Sequence, residues 1–162
     1  IKRPGINNPD PGRNGLFITG GKGVGKTHLA AAIANQIMSQ GTAVICMTMI
    51  DLLDEIRITF SSATQTTSSS VLAVYKDVPL LIIDDMGKET PTEWAVSTIY
   101  NIINGKYEAF MPTIITTNYS DEQLVKRLTP PKGDEVTADA TIDRLREMCA
   151  GLPMTGASWR SR

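Results

Sequence analysis

Two clusters of residues in this chain have the types and spacing for phosphate chemistry. The first is Gly20-Gly21-Lys22-Gly23-Val24-Gly25-Lys26-Thr27, which fits G-x-x-x-x-G-K-[ST] in full. Glycines at these positions let the backbone turn so that its N–H groups converge on phosphate oxygens. Gly21, Gly23, Val24 and Gly25 would form that cradle, and a following helix N-terminus adds a dipole that favours an anion. Lys26 is spaced to reach the β- and γ-phosphates of a nucleoside triphosphate, and Thr27 to offer its hydroxyl to Mg2+. The second cluster is the acidic pair ending Pro79-Leu80-Leu81-Ile82-Ile83-Asp84-Asp85. Asp84 falls at the C-terminal end of an apolar run, where ligands of open α/β sheets bind, and is expected to hold Mg2+ through water. Asp85 is a candidate base for the attacking water, with a solvated loop acid as the alternative.

Those residues need a sheet and helices to position them, and the hydrophobic pattern supplies both. Leu16–Thr19 reads as a strand entering the glycine loop, and Lys26 to Ser39 as a helix with Leu29, Ile33 and Ile37 on one face. Gly41 is placed to end that helix, and Ala43–Met47 reads as a second buried strand. Met49 to Phe60 has helical period, and 61–70 is polar and of low complexity. A short helix is expected from Val71 to Lys76, followed by the strand 79–85, which reads as central because it is apolar without alternation. Thr90-Pro91 should open the next helix, whose stripe runs through Val96, Ile99, Tyr100, Ile103, Tyr107 and Phe110. Thr113–Thr117 is a strand, and Ser120 with Gln123 forms a capping box for the helix after it. Ala138 to Cys149 reads as a helix stopped at Gly151, with Leu152–Met154 as a short last strand. The expected fold is α/β, with a central, mostly parallel five-stranded sheet and helices on both faces. Residues 1–15 read as a lead-in and 16–162 as the single domain. Because the sequence does not start with Met, a further N-terminal domain is expected outside it.

Composition narrows the function classes. Sixteen Lys and Arg against seventeen Asp and Glu leave a net charge of -1, with 41% hydrophobic residues. Bulk charge therefore gives no signature of a nucleic-acid or membrane binder, and any nucleic-acid contact must be local. No stretch approaches the roughly 18 apolar residues of a membrane span, so no membrane partner and a cytoplasmic location are expected. Cys46 and Cys149 lack metal-ligand spacing and read as reduced, buried thiols.

Several segments together resemble the bacterial and phage helicase loader family, the AAA+ ATPase domains that include the DnaC and DnaI loaders and the IstB transposition helpers. They are Gly15–Gly20 into Gly25–Ala30, Leu80 to Gly87, Thr116-Thr117-Asn118, Leu53 to Phe60, Ile142 to Arg146, and the closing Ser158-Trp159-Arg160-Ser161-Arg162. The resemblance covers nearly the whole chain. It implies a P-loop NTPase of the AAA+ type that binds ATP or ADP with Mg2+ and hydrolyses ATP. The implied role is delivery of a replicative hexameric DNA helicase to single-stranded DNA at the start of replication. An IstB-like helper acting on duplex DNA is the alternative. It makes Asn118 the sensor of the γ-phosphate and Arg144 a finger completing a neighbouring subunit's site, and so implies self-association. It also implies that Arg160 and His28 lie at the nucleotide, although for His28 a packing or capping position suits the residue better than catalysis. AAA+ ATPases usually carry Glu after the magnesium Asp, whereas members of the loader family resembling DnaI tolerate Asp; Asp85 is shorter by one methylene, which leaves the hydrolysis rate open. Phe60, Thr92 and Trp94 match the family's single-stranded DNA contacts. Phe60 also continues the stripe of Leu53 and Ile56, as a core residue would. Trp94 falls with Thr98, Asn101 and Glu108 on the face opposite the stripe, and an aromatic on a polar face suits base stacking.

Overall fold

The computed structural model describes residues 12–61 and 68–159. The elements run β1 (Gly15–Gly20), α1 (Lys26–Ser39), β2 (Val44–Thr48), α2 (Met49–Ser61), α3 (Ser68–Asp77), β3 (Leu80–Met86), α4 (Glu93–Glu108), β4 (Thr113–Thr117), α5 (Asp121–Leu128), α6 (Val136–Met148) and β5 (Cys149–Met154). The five strands form one sheet in the order β2-β3-β4-β1-β5, and every neighbouring pair is parallel.

A parallel sheet must bury both faces, and the period-two alternation of its strands divides the core in two. Ile18, Leu80, Ile82 and Ile114 point to one side, where Ala30 and Ala34 of α1 cover them. Phe17, Leu81, Ile83 and Ile115 point to the other, under Leu52 and Ile56 of α2, Tyr75 of α3, Ile99 and Ile103 of α4, Leu124 of α5 and Leu145 of α6. Helices lie on both faces, as expected. Small residues on α1 let it approach the sheet closely, which brings its N-terminus to the ends of β1, β3 and β4.

Several details differ from the pattern-based expectations, each for a packing reason. β2 is an edge strand with partly exposed residues, since only β3 flanks it, and Cys46 is accordingly exposed while Cys149 is buried. The helix after the acidic strand is capped by Thr92, not Thr90. Thr92 has an extended backbone (φ -116°, ψ 158°) and its Oγ1 accepts from Ala95 N at 3.1 Å. Phe110 lies beyond the C-terminal end of α4, is turned by a positive φ of 52°, and is 75% exposed. α6 starts at Val136 and ends when Cys149 adopts an extended backbone, so no glycine stops it. Gly151 instead sits within β5, opposite Phe17 of β1. The capping box at Ser120 and Gln123 is present in both directions, at 3.0 and 3.3 Å.

The expected polar face of α4 also changes. α4 packs on both α3 and α6, so its buried surface is wider than one stripe and includes Ala95, Thr98, Ile102 and Lys106. Thr98 is therefore buried. Trp94 is partly buried against the main core cluster, with the Arg57 guanidinium 5.0 Å from the centre of its ring.

Candidate nucleotide-binding site

The glycine loop leaves the C-terminal end of β1 and runs into α1 through Gly25. Gly25 holds the N-cap position with φ 100°, a left-handed backbone that a side chain would strain. It provides no side-chain cap, so the first N–H groups of α1 remain directed at the loop. Lys26, only 6% exposed, starts the helix. Its Nζ donates to Gly20 O at 2.9 Å, Gly21 O at 2.8 Å and Asn118 Oδ1 at 2.7 Å. These oxygens give the buried ammonium hydrogen-bond acceptors in place of water.

Asn118 follows β4, the strand lying between β1 and β3, so sheet order alone brings it to the P-loop lysine. The same order brings the acidic pair to Thr27. Thr27 Oγ1 donates toward Asp84, 2.9 Å from Oδ2 and 3.1 Å from Oδ1, and Thr116 Oγ1 of β4 donates to Asp84 Oδ1. A hydroxyl beside a carboxylate at the edge of a phosphate cradle is the hard-oxygen set that Mg2+ takes, with water and phosphate filling its other positions. Among the described residues no group of three or more His, Cys, Asp or Glu could hold a metal ion.

β3 pairs with β4 through a register shift between Ile83 and Met86. At that irregularity Asp85 has a left-handed backbone, φ 58°, its N–H donates to Thr116 Oγ1 at 3.0 Å, and its Oδ2 meets Lys88 Nζ at 2.5 Å. Just beyond, Glu89 is buried. Its Oε2 accepts from Gly87 N at 2.8 Å and its Oε1 has no hydrogen-bond partner. Burial raises this carboxyl above its ordinary range, against backbone N–H groups and the nearby Arg127, which lower it.

Gly21, Gly23, Val24, Gly25, Lys26, Thr27, Asp84, Asp85 and Asn118 thus lie at one end of the sheet. His28 is exposed on the first turn of α1 and lines a groove of about 650 Å3 with Val24, Leu29, Ala32, Met154 and Trp159. Arg144 is placed apart from this cluster, on the α4–α6 surface. Its Nε donates to Asn104 at 3.2 Å, its guanidinium lies 4.5 Å from the Tyr107 ring centre, and Glu147 is 3.6 Å away. Thr92 caps α4, Arg160 lies outside the described residues, and so does the Phe60 side chain. Sequence reasoning gave no site role to Thr116, to Lys88 or to Trp159, whose N donates to Gly23 O at 3.0 Å. Lys88 alone carried a local signal, its spacing of three from Asp85.

A parallel sheet of this order, with a glycine loop after β1, an acidic pair ending β3 and a polar side chain after β4 that meets the loop lysine, defines a P-loop nucleotide-binding domain of the AAA+ type. A family model, IstB-like ATP binding protein, matches residues 12–162, and the chain belongs to that family. It is similar to the replicative helicase loader DnaC of Escherichia coli (strain K12), 33% identical over 131 residues, or 80% of this chain and 49% of that protein. It is also similar to the replicative helicase loader DnaI of Bacillus subtilis (strain 168), 27% identical over 150 residues, or 90% of this chain and 47% of that protein. A crystal structure of DnaI matches with a TM-score of 0.71 and 29% identity, covering 92% of this chain and 75% of that one. The chain spans about half the length of the curated relatives it matches. Among the described residues no helix is long and apolar enough to cross a membrane.

Proposed function

We propose that this domain binds and hydrolyses ATP between subunits, grips single-stranded DNA, and in a longer protein delivers a replicative hexameric helicase during initiation, in the cytoplasm. The observation that carries the proposal is the joining of Lys26 to Asn118 and of Thr27 to Asp84 at one end of the sheet. On this reading Lys26 exchanges the Gly20 and Gly21 carbonyls for β- and γ-phosphate oxygens, while Asn118, already beside it, registers the γ-phosphate. Thr27, and Asp84 through water, would hold Mg2+, which would supply charge neutralisation at the phosphates. In hydrolysis a water oxygen bonds to the γ-phosphorus, the bond from that phosphorus to the β–γ bridging oxygen breaks, and the water's proton passes to Asp85. ADP and phosphate are the products. Arg144, being away from its own chain's P-loop, is suited to stabilise the transferring phosphate in a neighbouring copy. Arg160 and His28 are assigned to the nucleotide's periphery, and Phe60, Thr92 and Trp94 to the DNA. The pairing of Arg57 with Trp94 supports the last of these, since a cation beside a ring suits a stacked, phosphate-bearing strand.

ATPase rate measured against protein concentration, with single-stranded DNA, tests the shared site. The parent should rise more than linearly, and Arg144→Ala should lose roughly a thousandfold, the low end of what an arginine finger contributes. A linear rate independent of Arg144 would remove the inter-subunit mechanism, and ATP binding undiminished in Lys26→Ala would remove the nucleotide site. A second reading, an IstB-like helper that presents duplex DNA to a transposase, is favoured by the family model that matches. Pull-downs against a purified hexameric helicase and a purified transposase separate the two.

A further inference from the structure

The turn after β3 is pinned at more points than a surface connection requires. Asp85 N is held by Thr116, Gly87 N by Glu89, and Gly87 O by Arg127 Nε at 2.6 Å. The Arg127 guanidinium is in turn stacked 4.3 Å from the centre of the Tyr119 ring, next to Asn118. Gly87 has φ 95°, and a Cβ there would come within 2.6 Å of Leu124 and 2.8 Å of Tyr119, so no other residue fits without displacing them. With the backbone fixed on both sides of it, Lys88 is presented to Asp85 at little further conformational cost. Its ammonium meets Asp85 Oδ2 at 2.5 Å, with the two side chains 40% and 31% exposed.

We propose that Lys88 is a positioning residue that restrains hydrolysis by holding the Asp85 carboxylate away from the attacking water. The proposal rests on the role assigned to Asp85 above. To take the proton that water releases as its oxygen bonds to the γ-phosphorus and ADP departs, a carboxylate oxygen must face that water. The Lys88 ion pair engages that carboxylate and must break or rotate first. The ion pair is separate from the Lys26–Asn118 and Thr27–Asp84 hydrogen bonds, so its loss leaves nucleotide binding unchanged. The domain thereby binds ATP readily and cleaves it slowly, independently of the shorter reach of Asp compared with Glu.

The test compares the parent, Lys88→Met, Lys88→Arg and the double variant Lys88→Met with Asp85→Asn, each checked for an unchanged melting temperature. Steady-state ATPase at saturating ATP is read beside the affinity for a fluorescent ATP analogue. Lys88→Met should raise kcat roughly three- to fivefold, the factor equivalent to an exposed ion pair of up to ~1 kcal/mol. Its analogue affinity should be unchanged, Lys88→Arg should stay at the parental rate, and the double variant should lose the gain. An unchanged, lower or undetectable kcat in Lys88→Met, with the analogue still bound, overturns the restraint alone. If Lys26→Ala bound the analogue as tightly as the parent, the nucleotide reading would fall and take the restraint with it.

Discussion

Thr116 connects the two acids whose adjacency the sequence displays. Its hydroxyl donates to Asp84 and accepts from the Asp85 N–H, and its side chain is fully buried. Thr116→Val keeps the shape and removes both bonds, leaving a buried N–H without its acceptor, at a cost of ~1–3 kcal/mol. Urea unfolding should register that loss. On the proposal that Asp84 holds Mg2+, the Mg2+ concentration for half-maximal ATPase should rise about tenfold, because the partner that orients that carboxylate has gone. A variant with parental Mg2+ dependence would show that Asp84 needs no such partner. Lys26, Thr27 and Asp84 were legible in the sequence because a phosphate loop and a strand-end acid are local patterns. Thr116 was not, because its partners belong to β3, more than thirty residues earlier in the chain. Lys88 stood at a readable spacing, but its orientation depends on the left-handed backbone at Asp85, a conformation that Asp adopts more readily than most residues but too seldom for its type alone to predict.

α4 is the element whose sequence pattern was most misleading. A single stripe accounted for Val96, Ile99 and Ile103, yet contact with the sheet, α3 and α6 together also buries Thr98 and Lys106. Lys106 is fully buried and donates to Val78 O just beyond the C-terminal end of α3, where a cation is favoured. Burial pushes its pKa down to about 8 from 10.5, against the opposing pull of Asp77. Between those two values the unfolded chain binds the proton and the folded chain does not, so this group's contribution to stability rises with pH across the window. Relative to Lys106→Met, the parent's unfolding free energy should therefore increase from pH 8 to pH 10, by at most ~1.4 kcal/mol per pH unit. Urea titrations of both proteins at several pH values measure this, and a flat difference would mean the ammonium stays charged throughout. The other boundary errors were smaller: Thr92 displaced Thr90 because only its backbone lets Oγ1 reach Ala95 N, and β5 began directly where α6 ended.

For the whole molecule, the sheet order β2-β3-β4-β1-β5 sets which loop ends meet, and it places the glycine loop, the acidic pair and Asn118 together. On the outer surface the arrangement leaves Trp94 partly buried beside the Arg57 guanidinium and Arg144 on the α4–α6 face. If Trp94 stacks on a base, Trp94→Ala should weaken binding of a labelled single-stranded oligonucleotide at least about fivefold, the lower bound for one stacked base. Fluorescence anisotropy would read this, with ATP binding unchanged; parental DNA affinity would remove the DNA contact and leave the nucleotide site standing. The sequence by itself determined the α/β alternation, the phosphate loop, the strand-end acid and the family resemblance, since each is written in short-range spacing or residue type. Only the tertiary structure decided that β2 and Cys46 lie at an exposed edge and that Trp94 leans on the core. It also decided that Thr116 and Lys88 hold the acidic pair. Those facts depend on which strands become neighbours and how many helices cover each face, and such long-range contacts leave no periodic signal in the chain.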